Sequence, residues 1–170
     1  VPNWLPPALW DGLEFEDMVS CAKRWVPLIR EKEQPDVLVG LFHSGKEGGI
    51  VTPDYAENAA LDVAREVAGF DVVCYGHDHI RNCETVKGPD GKEVLCLAPS
   101  SMAVTVGEVD IDVETGREGN RVVSVKGKIT DLSYYKGEES KYMQRYFSRY
   151  IRNTEYYVGQ KIGRFVHTIE

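Results

Sequence analysis

Two short apolar runs, each followed by a loop that contains histidine, constrain the fold of this chain most strongly. Residues 37–42 (VLVGLF) and 71–75 (DVVCY) are rich in β-branched and aromatic residues, which predicts two buried strands, the first covered on both faces. The pattern of residues 55–68 between them predicts a helix that ends at Gly69. Such a βαβ unit is right-handed and has parallel strands. The carboxyl ends of its strands therefore lie side by side, where open α/β sheets usually bind ligands.

Three of the four histidines lie in the loops at these two strand ends. His43 follows the first strand, and His77 and His79 follow the second. Imidazole is neutral near pH 7 and is the commonest metal ligand in proteins. Because His77 and His79 are two residues apart, an extended segment would point both to the same side. We therefore predict that His43 and His77 lie within reach of a common ion, with His79 next to them. Asp78 is assigned no catalytic role, and His167 is interpreted as an ordinary polar side chain.

The rest of the chain predicts one helix before this unit and mainly antiparallel strands after it. Helical spacing of apolar residues over 15–29 contains Pro27, which should kink or divide that helix. Residues 81–87 and 93–98 predict a hairpin around the Pro-Asp-Gly turn at 89–91. Further strands are predicted near residues 104–113, with an interruption near Gly107, and over 121–132. A helix is predicted over about 138–153 and an extended segment over 156–170.

Charge and hydropathy exclude two classes of partner. The chain has 20 Lys and Arg against 27 Asp and Glu, a net charge of −7, which disfavours binding to a nucleic acid polymer or an anionic membrane. The longest central apolar run is residues 37–42, whereas a transmembrane helix needs about 20 residues. We therefore predict no membrane span. A small anionic substrate stays possible, because bound metal ions reverse the local charge.

The four cysteines leave a choice between separate thiols and one disulfide. No pair has the Cys-x-x-Cys spacing of a zinc or redox site. The favoured interpretation is four separate, mostly buried thiols. Cys83 and Cys96 flank the predicted hairpin turn and fall two residues out of register. A small change of register would bring their sulfur atoms together, so a disulfide is a second hypothesis.

The two histidine loops, GLFHSG at 40–45 and YGHDH at 75–79, closely resemble the last two metal motifs of the calcineurin-like metallophosphoesterases. The subtype that they resemble comprises the exported bacterial 5′-nucleotidases and 2′,3′-cyclic-nucleotide phosphodiesterases. Supporting segments are LEFED at 13–17, GEVDI at 107–111 and VGQKIG at 158–163.

The resemblance covers nearly the whole chain and implies an α/β fold divided into three parts. Residues 1–135 would be the C-terminal half of the metallophosphoesterase α/β sandwich, with the βαβ unit followed by mainly antiparallel strands. Residues 136–155 would be a linker helix. Residues 156–170 would be the first strand of a C-terminal substrate-binding domain.

The resemblance also implies a chemistry. In that family two divalent ions, bridged by an aspartate, activate a water molecule that attacks phosphorus. By motif position, His43 and His77 would bind one ion and His79 the other. The ions could be zinc, manganese or iron, since imidazole and carboxylate ligands accept all three. The substrate would be a nucleotide or a cyclic nucleotide, and the location would be the periplasm or the cell surface.

Three N-terminal motifs of the family, Asp-x-His, Gly-Asp-x-x-Asp and Gly-Asn-His-Asp/Glu, do not occur in the 170 residues. In the family they supply the bridging aspartate, an asparagine ligand and the histidine that assists the leaving group. The chain also opens with VPNW and no methionine. We therefore interpret it as a piece of a longer polypeptide, or a processed product. Its partners would be the N-terminal half and the C-terminal domain of the same protein, and its metal site would be incomplete by itself.

Two other interpretations stay open. The same three histidines could form a self-contained mononuclear zinc site of a different hydrolase, with one position left for water. Alternatively, the tyrosine-rich segment around Tyr146 and Phe147 could make the chain a non-enzymatic interaction module. We rank the dinuclear phosphoesterase first.

Overall fold

The computed structural model describes residues 2, 4–117, 119–135, 137 and 140–164. The chain divides into two compact units, Val1–Tyr134 and Tyr135–Glu170. After a short 3₁₀ turn at Pro7–Leu9, the first unit contains the helices α1 (Met18–Glu33) and α2 (Ala60–Glu66). Its strands are β1 (Val39–Phe42), β2 (Gly48–Val51), β3 (Ala56–Asn58), β4 (Val72–Tyr75), β5 (Arg81–Lys87), β6 (Glu93–Pro99), β7 (Thr105–Gly116) and β8 (Gly119–Asp131). The second unit contains the helix α3 (Lys141–Val158).

The central sheet has the strand order β1-β4-β6-β5. The strand β4 runs parallel to β1 on one side and to β6 on the other. With α2 between β1 and β4, this confirms the predicted βαβ unit. The register pairs Phe42 with Tyr75, so both strands end at the same level. This α/β architecture places the two histidine loops beside each other.

The hydrophobic core lies between the helices and one face of the sheet. The helix α2 packs on β4, β5 and β6, and α1 packs against α2. Leu61, Val63, Val73 and Cys96 are fully buried there. The helix α1 begins where the Asp17 carboxylate accepts a hydrogen bond from the Ser20 backbone N–H, a standard N-cap. Pro27 does not divide α1, which continues to Glu33.

The prediction that the first strand is buried on both faces is wrong. Gly40 faces the core, close to the rings of Phe42 and Phe70. On the other face, the Leu41 side chain is 85% exposed and Val39 is half exposed. A continuous apolar run has the same hydropathy on both faces, so its sequence does not report which face the rest of the fold covers.

The helix predicted over 55–68 is also partly wrong, because residues 56–58 form β3. This strand pairs with β2, which begins in the loop predicted after the first strand. The backbone N–H of Ala59 donates to the Ser44 hydroxyl, and the Asn58 side-chain oxygen accepts from the backbone N–H of Gly45. These bonds to a distant loop hold the segment extended, and α2 begins only at Ala60.

The hairpin of β5 and β6 is confirmed, and its register decides the question of the disulfide. Cys83 lies opposite Leu97, and Glu84 lies opposite Cys96. Because neighbouring strand residues point to opposite faces, Cys83 and Cys96 lie on different faces of the hairpin. All four cysteines are free thiols, and of this pair Cys83 is exposed and Cys96 is buried. The disulfide hypothesis is therefore wrong. The expectation of mostly buried thiols is wrong as well, because Cys21 and Cys74 are only half-buried and Cys83 is exposed.

The strands β7 and β8 form one long antiparallel hairpin without the break predicted near Gly107. Glycine has a packing role there. A Cβ atom at this position would lie 2.3 Å from the Cδ2 atom of Leu97, too close for any other residue without a shift. Gly107 thus lets β7 approach the central strand β6 closely.

The second unit contains a helix that is longer than predicted. The helix α3 ends at Val158, where the prediction had placed a strand from residue 156, so residues 156–158 are helical. The Ser140 side chain caps its start by accepting from the Met143 backbone N–H. Residues 159–164 do not form the predicted strand, and the rest of that prediction, over 165–170, lies outside the described residues. Among the described helices, none combines the length and apolar character needed to cross a membrane.

We expect Leu61→Ala to lower the free energy of unfolding by about 2–5 kcal/mol, because it leaves a cavity in the core. Leu61 is fully buried, whereas Leu41 is 85% exposed. The matched control Leu41→Ala should therefore change the free energy by less than about 0.5 kcal/mol. Urea denaturation followed by circular dichroism measures both values. Equal losses in the two variants would contradict this placement of the core.

Candidate active site

The structure brings His43 and His77 together at the carboxyl ends of β1 and β4. The Nδ1 atom of His77 lies 3.3 Å from the Nε2 atom of His43. The ring centroids are 5.1 Å apart. Two nitrogen ligands of one tetrahedral zinc ion, each about 2.0–2.1 Å from the metal, lie roughly 3.3–3.4 Å apart. The expected proximity of the two rings is thus observed, and their role as metal ligands stays a prediction.

A residue that the sequence analysis missed, Glu57, contacts the other side of His77. Its Oε1 atom lies 2.7 Å from the Nε2 atom of His77 and accepts a hydrogen bond from the Trp4 indole N–H at 2.6 Å. Its Oε2 atom accepts from the Ile50 backbone N–H at 2.8 Å. That bond, together with the bonds to His77 and Trp4, lowers the pKa of Glu57 to about 2. Since an ionised carboxylate only accepts hydrogen bonds, this contact favours the tautomer of His77 with the proton on Nε2.

The loop that contains His43 is held by its neighbour Ser44. This serine is fully buried. Its hydroxyl donates to the main-chain carbonyl of Glu57 at 2.9 Å and accepts from the Ala59 backbone N–H at 2.9 Å. At Gly45, a Cβ atom would lie 2.5 Å from the Asn58 side-chain oxygen. The strand β3 and Ala59 therefore hold the His43 loop, and Glu57 of β3 also contacts His77.

Asp78 joins the two loops and turns the chain between His77 and His79. Its Oδ2 atom accepts from the Lys46 backbone N–H at 2.7 Å, and its Oδ1 atom accepts from the Ile80 backbone N–H at 3.4 Å. The second bond is that of an Asx turn. His79 has a φ of +58°, in the left-handed region that is uncommon for residues other than glycine. The expectation of an extended segment from His77 to His79 is therefore wrong.

His79 lines the same cleft as His43 and His77, although it is exposed. This cleft has a volume of about 640 Å³ and also contains Ser100 and Ser101. The Ser100 hydroxyl donates to the main-chain carbonyl of His79 at 3.3 Å. Within the part of the chain that the structure describes, no three His, Cys, Asp or Glu side chains are arranged to hold a metal ion. The three-histidine mononuclear site is therefore not preformed in this arrangement.

Comparison with known proteins identifies the fold. The sequence is 25% identical over 180 aligned residues to the trifunctional nucleotide phosphoesterase YfkN of Bacillus subtilis, covering 95% of this chain and 12% of that protein. The crystal structure of the calcineurin-like phosphoesterase YfkN from Bacillus subtilis matches with a TM-score of 0.70 and 23% identity, over 86% of this chain and 46% of that one. The chain has a calcineurin-like phosphoesterase fold.

Other relatives agree with this fold. The 5′-nucleotidase precursor from Thermus thermophilus matches with a TM-score of 0.65 and 20% identity, over 88% of this chain and 29% of that one. The NAD nucleotidase of Haemophilus influenzae matches with a TM-score of 0.51 and 15% identity, over 84% of this chain and 31% of that one. Together these matches show the calcineurin-like phosphoesterase fold over most of this chain. No family model matches the sequence. This chain spans less than half of the length of each of these relatives.

Phosphoesterases of this fold generally use divalent metal ions. The spacing of the facing nitrogens of His43 and His77 suits one such ion. The nitrogens that face each other are 3.3 Å apart, and imidazole is a good ligand for zinc, manganese and iron. With the proton of His77 on Nε2, its Nδ1 atom presents a lone pair toward His43 whenever the ring is neutral. The described residues therefore present two nitrogen donors at a spacing that suits one ion, and ligation by them stays a prediction.

We expect acid to remove the stabilisation that Glu57 provides. The folded-state pKa of Glu57 is about 2, below its ordinary value of 4.5. The stabilisation is complete above pH 4.5 and is lost as the pH falls toward 2, because only the unfolded chain gains a proton in that window. Urea unfolding at several pH values, on the wild type and Glu57→Gln, should show a difference that shrinks across this window. A difference that does not depend on pH would contradict the prediction.

Proposed function

We propose that this chain is the C-terminal half of the catalytic domain of a dinuclear-metal phosphoesterase that hydrolyses nucleotide phosphate esters. The enzyme would be a 5′-nucleotidase or a 2′,3′-cyclic-nucleotide phosphodiesterase. One observation carries the proposal: His43 and His77 face each other at 3.3 Å, at adjacent parallel strand ends of a calcineurin-like phosphoesterase fold. The N-terminal half of the domain would complete the site.

The metal ligands are assigned by the same proposal. His43 and His77 would bind one divalent ion, and His79 would be a ligand of the second ion. When bound, two such ions generate a nucleophile from water at neutral pH and neutralise charge on the phosphoryl oxygens. The residues of this chain present and orient nitrogen donors. The hydrogen bonds of Ser44 and Asp78 keep the two loops in place, so that the ligands are positioned before an ion binds.

The names of the relatives support a nucleotide substrate. They are a nucleotide phosphoesterase, a 5′-nucleotidase and an NAD nucleotidase. The domain assignment stays part of the proposal, with α3 as the linker to a C-terminal domain that would bind the base. A location in the periplasm or at the cell surface is proposed as well, and the description of the Thermus thermophilus protein as a precursor supports it.

The test is to read the coding sequence upstream of Val1 and to express the protein extended through it. We expect the three N-terminal motifs to occur there. The extended protein, loaded with manganese or zinc, should release phosphate from AMP or open a 2′,3′-cyclic nucleotide. An extended protein that carries none of the motifs and hydrolyses neither compound would refute the proposal. One zinc ion held tightly by the isolated chain would favour the mononuclear hydrolase instead.

The exposed aromatic side chains of α3 favour an interaction module as the second candidate. The rings of Tyr142 and Tyr146 stack at 6.0 Å, and those of Tyr146 and Phe147 meet edge to face at 5.0 Å. Tyr142, Tyr146 and Phe147 are all exposed. A stable complex that is lost on substitution of Tyr146 and Phe147, in a protein that binds no metal, would support this candidate over the enzyme.

A further inference from the structure

The two ring nitrogens of His77 face different partners. The Nδ1 atom points to His43, at 3.3 Å from its Nε2 atom. The Nε2 atom points to Glu57, at 2.7 Å from its Oε1 atom. A neutral imidazole carries one proton, and only the nitrogen without it can bind a metal ion. The position of the proton on His77 therefore decides whether the nitrogen that faces His43 is available as a ligand.

Glu57 is held in place by contacts that do not involve His77. Its Oε2 atom accepts from the Ile50 backbone N–H at 2.8 Å. Its main-chain carbonyl accepts from the hydroxyl of Ser44 at 2.9 Å, and Ser44 precedes the loop glycine that contacts Asn58. Only 10% of the Glu57 side chain is exposed. The carboxylate is thus oriented by β2 and by the His43 loop, and it offers His77 a fixed acceptor.

We infer that Glu57 is a positioning residue, which holds the proton of His77 on Nε2 and thereby presents Nδ1 to the ion that His77 would share with His43. The inference rests on the proposed function, since it concerns the same metal site. It adds a residue that lies in neither histidine motif. Carboxylates that accept the second ring N–H of a metal-binding histidine fix its tautomer and its ring orientation, and their loss typically weakens metal binding about 10–100-fold.

The geometry distinguishes this role from a general support of the fold. Trp4 also donates to the Oε1 atom of Glu57, at 2.6 Å, and its ring meets the His77 ring edge to face, with centroids 6.1 Å apart. A substitution of Trp4 would therefore change contacts of both Glu57 and His77, and Trp4 is not a control position. Glu47 is a matched glutamate nearby, which pairs with Arg65 at 3.0 Å. Its removal should not affect either ring.

The test measures the tautomer of His77 and its response to zinc by long-range ¹H–¹⁵N NMR of the folded 170-residue chain. In the wild type we expect the His77 ring to be protonated on Nε2, and zinc to shift the signals of His43 and His77 together. In Glu57→Ala, the ring should populate both tautomers, and its apparent zinc affinity should fall about 10–100-fold. Glu57→Gln keeps the side-chain volume, yet it replaces one of the two acceptor oxygens that face Ile50 and His77 by an NH2 donor. It should therefore also lower the Nε2-protonated population.

The controls separate this inference from the function on which it rests. Glu47→Ala should keep the wild-type tautomer and zinc affinity. If zinc shifts both rings and folded Glu57→Gln and Glu57→Ala keep the wild-type tautomer and affinity, the inference is overturned and the metal site stands. If zinc leaves both rings unchanged in the wild type and also in the protein extended through the upstream sequence, the proposed metal site is overturned, and the inference with it.

Discussion

The 170-residue chain, loaded with zinc or manganese, should hydrolyse neither AMP nor a 2′,3′-cyclic nucleotide at a measurable rate. Hydrolysis of a phosphate ester in a two-metal site needs two ions about 3.5–4 Å apart, which stabilise the attacking and the leaving oxygen together. The described residues offer two imidazoles to one ion. Among these residues, no group of three His, Cys, Asp or Glu side chains is arranged to hold a second ion. Without a bridging carboxylate, nothing sets the distance between two ions.

The loss should be nearly complete rather than proportional to the number of absent ligands. Groups that act as one catalytic unit are strongly non-additive, because the unit fails once its geometry is lost. The assay follows phosphate release from AMP and ring opening of the cyclic nucleotide, with the His77→Ala chain as the control for contaminating phosphatase. Turnover that is present in the wild type and absent in His77→Ala would overturn the proposal of a half-domain, because the chain would then hold a complete site.

In the protein extended through the upstream sequence, we expect His77→Ala to lower kcat/KM by at least about 1000-fold. The reason is the loss of a metal ligand in a site where bound ions supply several kcal/mol of transition-state stabilisation, and about 4 kcal/mol corresponds to this factor. The His77 ring also contacts both His43, at 3.3 Å, and Glu57, at 2.7 Å. Its removal therefore eliminates both contacts.

The matched control is His167→Ala, which removes the fourth histidine of the chain. The sequence analysis leaves His167 outside the site, so this variant should keep most of the activity. Metal content measured on both proteins separates loss of an ion from a defect in chemistry, and circular dichroism checks the fold. A His77→Ala protein with more than about a tenth of the wild-type kcat/KM would contradict the assignment of His77, since removal of a metal ligand should cost far more.

Local patterns in the sequence were sufficient to predict the frame of the fold. Alternation of apolar residues with turn residues between them predicted β5, β6, β7 and β8, and helical spacing predicted α1 and α3. The two apolar runs and the helix between them predicted that β1 and β4 are parallel neighbours. From that adjacency alone, the meeting of His43 and His77 followed. These features depend on the period of side chains along a strand or helix, which is readable within a few residues.

The tertiary structure decided the features that depend on hydrogen bonds between distant segments. Glu57 is 20 residues from His77 along the chain, and no spacing in the sequence links the two. Asp78 accepts from the backbone of Lys46, 32 residues away along the chain, and this bond ties the two histidine loops together. Residues 56–58 are extended because the loop after β1 binds them, although their local pattern favours a helix.

The exposed face of β1 has the same explanation. The apolar character of Leu41 predicted burial, but which neighbour covers a strand is a property of the whole fold and not of the strand. For this protein, the sequence by itself determined which residue types stand at the ends of the parallel strands. Only the tertiary structure decided how those side chains are oriented, because a side chain takes its direction from the acceptors and donors that other segments bring to it.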